Sequence, residues 1–321
     1  MIRYIIRRLL YVVLVLLVVT MVTFLIFYVM PAGDPALNFA GRHATPDILA
    51  QVRKLFALDK PIYVQYYLFV KHLVVGDAYG WPGLGFSFQS RNPIKAEIMP
   101  RIWVTFQLAI GAAVTWLLLG ISIGVLSALK RRSIADRLAM GFALFGVSAP
   151  VFWLGLMGLF IFWQKLHIVP GSGFVPFSQS PVSWFGHLIL PWIVLALLFA
   201  AIYARLVRGN MLEVMNEDYI RTARAKGLPE RTVIFKHGLR SSLTPVVTLF
   251  GLDFGGLLGG AIVTESVFNI PGLGPFTIDA VLRQDLPVVL AITVFAAAMI
   301  VFMVLVVDIL YAYLDPRVRY A

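Results

Sequence analysis

The chain has 321 residues, 60% of them hydrophobic and only 13% charged, with a mean hydropathy of +0.86; a soluble domain is about a quarter charged, so a single soluble globule is excluded and a bilayer is the natural solvent. The formal net charge is +11, but the basic residues sit between apolar runs rather than on one face, which is the positive-inside bias of membrane proteins and not a nucleic-acid surface. There is no cysteine, which excludes disulfides, thiolate metal sites and cysteine nucleophiles.

A membrane-spanning helix needs ~20 mostly apolar residues. Six stretches qualify, at 9–30, 102–129, 137–163, 187–206, 243–267 and 287–314. The first follows Arg3, Arg7 and Arg8. Its apolar run exceeds the ~7–15 residues of a signal-peptide core and no Ala-x-Ala site follows, so it reads as a retained anchor. The expected fold is an all-α integral membrane protein of about six transmembrane helices. The expected organisation is an anchor helix at 1–30, a scaffold loop at 31–101 and a transmembrane core at 102–321 that contains an inner loop at 205–242.

The scaffold loop is too long for a plain connector. Thr45-Pro46-Asp47 is a helix start, with a polar cap and proline at the first helical position. Ile48, Val52, Leu55 and Phe56 then recur at helical spacing. A second helix is expected after Pro61, with Tyr66, Phe69, Val70 and Leu73 on its apolar face, before an irregular Gly- and aromatic-rich stretch at 76–85. The loop is therefore a small helical scaffold.

Orientation follows from the basic residues between spans. The two termini, the turn at 130–137 and the loop at 205–240 carry seventeen, whereas the short loops on the other side carry only Lys165 and Arg283. Both termini and both basic loops are expected in the cytoplasm, and 31–101 outside.

The inner loop holds the most informative residues. Asp218 is the expected N-cap, Tyr219 to Lys226 a helix of about two turns, and Gly227 its terminator. Glu217 and Asp218 stand at the positive end of its dipole, Arg224 and Lys226 at the negative end. Pro229 then opens a second helix beside Glu230. Residue chemistry leaves two readings open: a solvated connector, or a capped helix shaped to be gripped by a partner.

Elsewhere the pattern is sparse. His43, His72, His167, His187 and His237 are scattered without metal-ligand spacing, and no Ser/His/Asp or G-x-S-x-G arrangement occurs. Asp253 is an intramembrane charge, which marks either a path or a helix-to-helix hydrogen bond. Gly255 with Gly259, and Gly256 with Gly260, have small-xxx-small spacing, read as close packing or as a mobile path-lining helix. Asp253, Gly255 and Gly259 are thus the candidate translocation-path residues. Gly120 and Gly124 read as packing, and Asp308 as a structural residue near the end of the last span.

The run Asp218-Tyr219-Ile220-Arg221-Thr222-Ala223-Arg224-Ala225-Lys226-Gly227-Leu228, followed by Lys236-His237-Gly238-Leu239-Arg240, resembles the cytoplasmic loop of ABC-importer permeases. The wider superfamily's Glu-Ala-Ala and later Pro are missing here, where Arg221, Thr222, Ala223 and Arg240 stand. That departure matches the dipeptide and oligopeptide branch, which includes nickel permeases. Further matches are Arg3-Tyr4-Ile5-Ile6-Arg7-Arg8, Pro31-Ala32-Gly33-Asp34-Pro35, Glu265-Ser266-Val267-Phe268 with Pro271-Gly272-Leu273-Gly274, and Leu314-Asp315-Pro316-Arg317-Val318-Arg319. Several dispersed matches in order are far more specific than one short motif.

The resemblance implies a type I importer permease fold in the cytoplasmic membrane of a prokaryote. It implies a path for short peptides formed with a second, homologous permease subunit, two cytoplasmic ATPase subunits that carry ATP and Mg²⁺, and a substrate-binding protein outside. The residues at 218–228 would then be the ATPase-coupling helix. No G-x-x-x-x-G-K-[ST] loop exists in the chain, in keeping with a transport subunit that binds no cofactor of its own and is not an enzyme. Sister permeases carry nickel chelates, glutathione or oligosaccharides, so those cargoes stay open. An ion-coupled secondary transporter would require inverted repeats and paired intramembrane charges, and a membrane enzyme clustered ionisable groups; neither is evident.

Overall fold

A computed structural model of the protein describes residues 2–30, 34–40 and 45–314. The sequence marks at Pro31-Ala32-Gly33, His43 and Asp315 to Arg319 lie outside the described residues. Among the described residues four helices are long and apolar enough to cross a membrane, and the number reaches six when each of two bent helix pairs is counted as one span.

The first is α1 (Ile2–Phe24), continued by a wide π-helical turn at Leu25–Val29. The scaffold follows as α2 (Pro35–Ala40), α3 (Pro46–Leu55) and α4 (Ile62–Val75). Thr45 caps α3 as its sequence demands, the hydroxyl accepting from the Ile48 amide at 3.4 Å. The apolar faces of α3 and α4 meet α1 in one aromatic cluster of Phe24, Tyr28, Phe39, Val52 and Phe69, which reaches Leu290 near the chain's end. A two-residue-per-strand hairpin, β1 (Phe86–Ser87) paired antiparallel to β2 (Asn92–Pro93), closes the scaffold.

The second span, α5 (Ile94–Leu129), begins eight residues before the expected position and includes Pro100 and Arg101. Pro100 lies inside the helix without ending it, although a proline there cannot donate to the Ala96 carbonyl. The third expected span is broken. α6 (Ile134–Ser148) and α7 (Val151–Gly158), the latter extended by a π-helical turn at Leu159–Lys165, are bent by 102°. The cause is local: Ala149, which precedes Pro150, is driven out of the helical region to φ −81°, ψ 129°.

The fourth span, α8 (Pro181–Val214), is 34 residues long and overruns the expected 187–206 at both ends. It packs along α5, where Gly120 and Gly124 let the backbones approach. A methyl at Gly120 would stand 2.7 Å from Tyr203 Cβ, and one at Gly124 2.7 Å from the Ala204 carbonyl oxygen. Trp116 of α5 is fully buried between them, its ring tilted against those of Phe199 and Tyr203.

After α8 come α9 (Asp218–Ala225), α10 (Glu230–Thr232), a π-helical turn at Val233–Leu239 and α11 (Arg240–Ser242). The helical path then bends by 49° into α12 (Thr244–Leu258). The helical path into the fifth span therefore begins before 243, and the span's own helix does not run through to 267. Gly260 adopts φ +122°, open to glycine and strained for other residues, and the short α13 (Ile262–Val267) leaves in a new direction. α14 (Leu273–Leu282) and the last span, α15 (Leu286–Leu314), complete the chain, with α15 packed on both α12 and α1.

Candidate functional site

The short helix of the inner loop is built by its ends. Its N-cap is Glu217, not Asp218; Asp218 is the first helical residue, and its carboxylate accepts from Arg221 at 3.2 Å. At the C-terminus Gly227 takes φ +75°. The Leu228 amide donates to the Ala223 carbonyl at 3.4 Å and the Gly227 amide to the Arg224 carbonyl at 2.9 Å. Those two bonds form a Schellman terminator, which needs a left-handed residue at Gly227. Helix α9 thus ends at Ala225 with Lys226 as its C-cap.

One face of α9 is committed to its own chain. Ile220 is fully buried and Ala223 nearly so, against Val233, Val214 and Met215. Full burial of an isoleucine side chain is worth roughly 1.5–3 kcal/mol. This is enough to seat a two-turn helix that could not persist alone. The opposite face is free: Asp218, Tyr219, Arg221, Thr222, Arg224, Ala225, Lys226 and Leu228 are all exposed. Arg224 forks onto Glu230, Nη2 to Oε1 at 2.7 Å and Nε to Oε2 at 3.1 Å. That bridge staples α9 to α10. It holds the Glu230 carboxyl below its ordinary range and raises the Arg224 guanidinium.

The seat of α9 is tied to the spans at the same side. Arg208, near the end of α8, donates from Nε to Asp136 Oδ1 at 2.9 Å and from Nη2 to Oδ2 at 3.0 Å. Asp136 also accepts from Ser127 and from the Arg132 amide. Ser127, Asp136 and Arg208 thereby join α5, α6 and α8 in one clasp. Arg208 is 72 residues from Asp136, so the sequence carries no joint signal for the clasp.

A second knot fastens the other end. Glu265 of α13 is fully buried. Its Oε1 accepts from the Thr105 hydroxyl at 2.8 Å and its Oε2 from the Gly274 amide at 2.7 Å, while Thr105 Oγ1 accepts from the Leu273 amide at 2.9 Å. The start of α14 is thus capped by a carboxylate from α13 and a hydroxyl from α5. Glycine is required at Gly272, because a methyl there would lie 2.5 Å from the Glu265 carboxyl. Glu265-Ser266-Val267-Phe268 and Pro271-Gly272-Leu273-Gly274 are therefore two halves of one joint.

The candidate path residues separate. Gly255 and Gly259 face α15: a methyl would stand 2.9 Å from Ile300 Cα at Gly255 and 2.8 Å from Ala296 Cβ at Gly259. Their side of α12 is packed closely against α15, which is the packing reading of the pair. Gly256 has no atom within 4 Å of that position. Asp253 accepts from the Tyr203 hydroxyl at 2.9 Å and remains partly exposed. Its helix-to-helix bond is the plainer of its two readings, and its exposed remainder lies one turn from Gly256. Among the described residues no group of three or more His, Asp or Glu is close enough to hold a metal ion.

Comparison with known proteins bears on the whole chain. Residues 120–320 match the family model described as binding-protein-dependent transport system inner membrane component, and residues 1–109 match the N-terminal model of the same transport system membrane component. A dipeptide transport system permease protein of Alkalihalophilus pseudofirmus is 40% identical over 100% of both chains. A glutathione transport system permease protein of Salmonella paratyphi A is also 40% identical over 100% of both. A solved amino acid ABC transporter chain gives a TM-score of 0.48 at 15% identity, over 70% of this chain and 94% of that one.

Proposed function

Because the chain belongs to the binding-protein-dependent transport system inner membrane components, as an ABC-importer permease of the dipeptide branch, we propose that it carries short peptides across the cytoplasmic membrane along a path shared with a second, homologous permease. Two cytoplasmic ATPases would bind ATP and Mg²⁺ and supply the work, and a substrate-binding protein would deliver cargo from outside. The chain itself performs no hydrolysis in this scheme and holds no cofactor.

The observation that carries the reading is α9. A short helix buried through Ile220 and Ala223, and open along Tyr219, Thr222, Arg224 and Lys226, has one face for its own bundle and one for a partner. The residues from Asp218 to Leu228 form the proposed ATPase-coupling loop. The clasp of Ser127, Asp136 and Arg208 gives a push on α9 a stiff route into three spans. The proposed orientation has both termini and 205–242 in the cytoplasm, and 31–101 outside.

Glutathione is the second cargo favoured by a specific observation, the full-length relative that transports it. It is itself a short peptide with a free ammonium and free carboxylates, so both cargoes ask the same chemistry of the path. Asp253, half-shielded by Tyr203, is the proposed path-side carboxylate. Reconstitution of the chain with its partner subunits, compared with the chain alone, tests the reading. ATP-driven dipeptide uptake should need the full set, and robust uptake by the lone chain would refute it.

A further inference from the structure

Helix α4 is apolar on two sides, and among the described residues only one of them is covered. Tyr66, Phe69 and Leu73 turn into the aromatic cluster that α4 shares with α1. A second stripe stands bare. Tyr63, Tyr67, Val74 and Val75 are between 63% and 73% exposed, and Tyr63, Tyr67 and Val74 recur at the spacing of one helix face. Trp81 extends that face past the helix end: its ring is exposed, and its indole Nε1 donates to the Val74 carbonyl at 3.1 Å. The polar Gln65 projects from the far side, where its Nε2 donates to the Lys60 carbonyl at 2.8 Å. For a helix resting on a water-facing scaffold this order is inverted, since the stripe turned away from the fold should be polar.

The depth of α4 accounts for the inversion. The Tyr66 hydroxyl donates to the Leu17 carbonyl at 3.1 Å and lies 3.2 Å from the Thr20 hydroxyl. Both partners stand in the interior of the apolar span at Ile6–Val29. Thr20 is nine residues short of that span's end, about 14 Å along the helix axis. The flank of α1 is bare over the same turns, with Leu14, Val18, Met21 and Val22 exposed, as a helix in lipid requires. A helix whose side chain reaches this part of a membrane span shares its surroundings. At 14 residues α4 is too short to cross a ~30 Å hydrocarbon layer. Asp59, Lys60 and Lys71 are exposed beside the stripe. They keep the helix at the edge of that layer, where lysine stems reach the headgroups.

We infer that α4 lies in the membrane interface on the scaffold side, with Tyr63, Tyr67, Val74, Val75 and Trp81 against lipid. Tyrosine and tryptophan favour that boundary, where the ring meets acyl chains and its polar tip meets headgroups. The partner of the stripe is the lipid surface itself. The placement needs neither the cargo nor the orientation proposed above.

The test places spin labels on single cysteines in the full chain in nanodiscs, alone and again assembled with its partner subunits. Collision rates are read with oxygen, which concentrates among acyl chains, and with chromium oxalate, which stays in water. Labels at Tyr67→Cys and Val74→Cys should match one at Val18→Cys in α1. Their oxygen-to-oxalate ratio should exceed that of a label at Lys54→Cys in α3 severalfold. Val74→Cys removes only an exposed aliphatic group, so it keeps the test decisive if loss of the ring in Tyr67→Cys prevents folding. Oxalate access equal to that at Lys54→Cys would overturn the placement and leave the stripe in water. Shielding from both reagents in the assembled complex would overturn it in favour of a protein partner.

Discussion

Arg8 Nη1 lies 2.9 Å from Asp308 Oδ2, joining the start of the first span to the last turns of the final one. At their other ends the same two helices meet again, through Phe24 and Leu290 in the aromatic cluster of the scaffold. They therefore run antiparallel, and the first and last spans begin and end on one side of the bundle. The Asp308 side chain keeps 17% of its exposure and Arg8 39%, so the pair is worth more than a fully solvated one but is still screened. Arg8→Asp should lower the melting temperature of the purified chain by a few degrees, a change of about 1 kcal/mol. Arg8→Asp combined with Asp308→Arg should recover most of that loss, as differential scanning fluorimetry in detergent can read.

The side on which those ends lie is a separate question, and the lack of cysteine makes it easy to ask. A single cysteine placed at Arg224 should resist a membrane-impermeant maleimide in intact cells, while one at Lys54 in α3 should react. Labelling at Arg224 from outside would reverse the proposed orientation.

Much of the local structure was legible because it is encoded within a few residues. Thr45-Pro46-Asp47 starts α3 as written, Tyr66, Phe69, Val70 and Leu73 point into one cluster, and Gly227 ends α9 with positive φ. The six apolar stretches were visible as lengths, but not their breaks. The region from 137 to 163 is apolar throughout, and only Pro150 signalled that the chain turns there. The small-xxx-small spacing of Gly255 with Gly259 and of Gly256 with Gly260 allows close packing or a path-lining helix; Gly259 packs on α15, whereas Gly260 supplies a left-handed break that the spacing does not signal. Asp136 with Arg208, and Thr105 with Glu265, are far apart in sequence, and nothing in one chain's periodicity links them.

The buried knot at α14 makes a prediction about folding. Glu265→Ala would strand the Gly274 amide and the Thr105 hydroxyl in the interior, at about 1–3 kcal/mol for each orphan. Glu265→Gln keeps an acceptor and a similar volume and should cost less. Gly272→Ala should behave like Glu265→Ala, since its methyl needs the space of the carboxyl. Thermal unfolding of the three variants in nanodiscs should rank Gln above both Ala substitutions; equal loss in all three would show that the hydrogen bonds are immaterial.

The scaffold has a pH dependence of defined sign. The Asp34 carboxyl is held below its ordinary range by the Ala36 amide and by Arg53, whose Nη2 is 2.6 Å from Oδ2. A carboxyl whose pKa is depressed in the folded state adds stability above its unfolded pKa and loses it as pH falls through the folded one. Amides of α2 should therefore exchange faster relative to α4 when pH drops below the ordinary carboxylate range, after correction for intrinsic exchange. Asp34→Asn should remove that differential, which hydrogen-exchange mass spectrometry would resolve.

The central claim is that α9 passes motion between an ATPase and the spans, and Gly227 tests it most directly. A β-branched residue at φ +75° costs ~1–2 kcal/mol or more, although no neighbouring atom stands within 4 Å to clash with it. Gly227→Val should thus mis-aim α9 and leave the bundle intact, with Gly227→Ala milder. The measurement is peptide uptake and binding-protein-stimulated ATP hydrolysis, taken together on the complex reconstituted in liposomes. The account predicts that Gly227→Val inserts and assembles like wild type while both activities fall about tenfold or more, a loss of ~1.4 kcal/mol or greater in coupling. Wild-type levels of both in that variant would contradict it and leave α9 a connector.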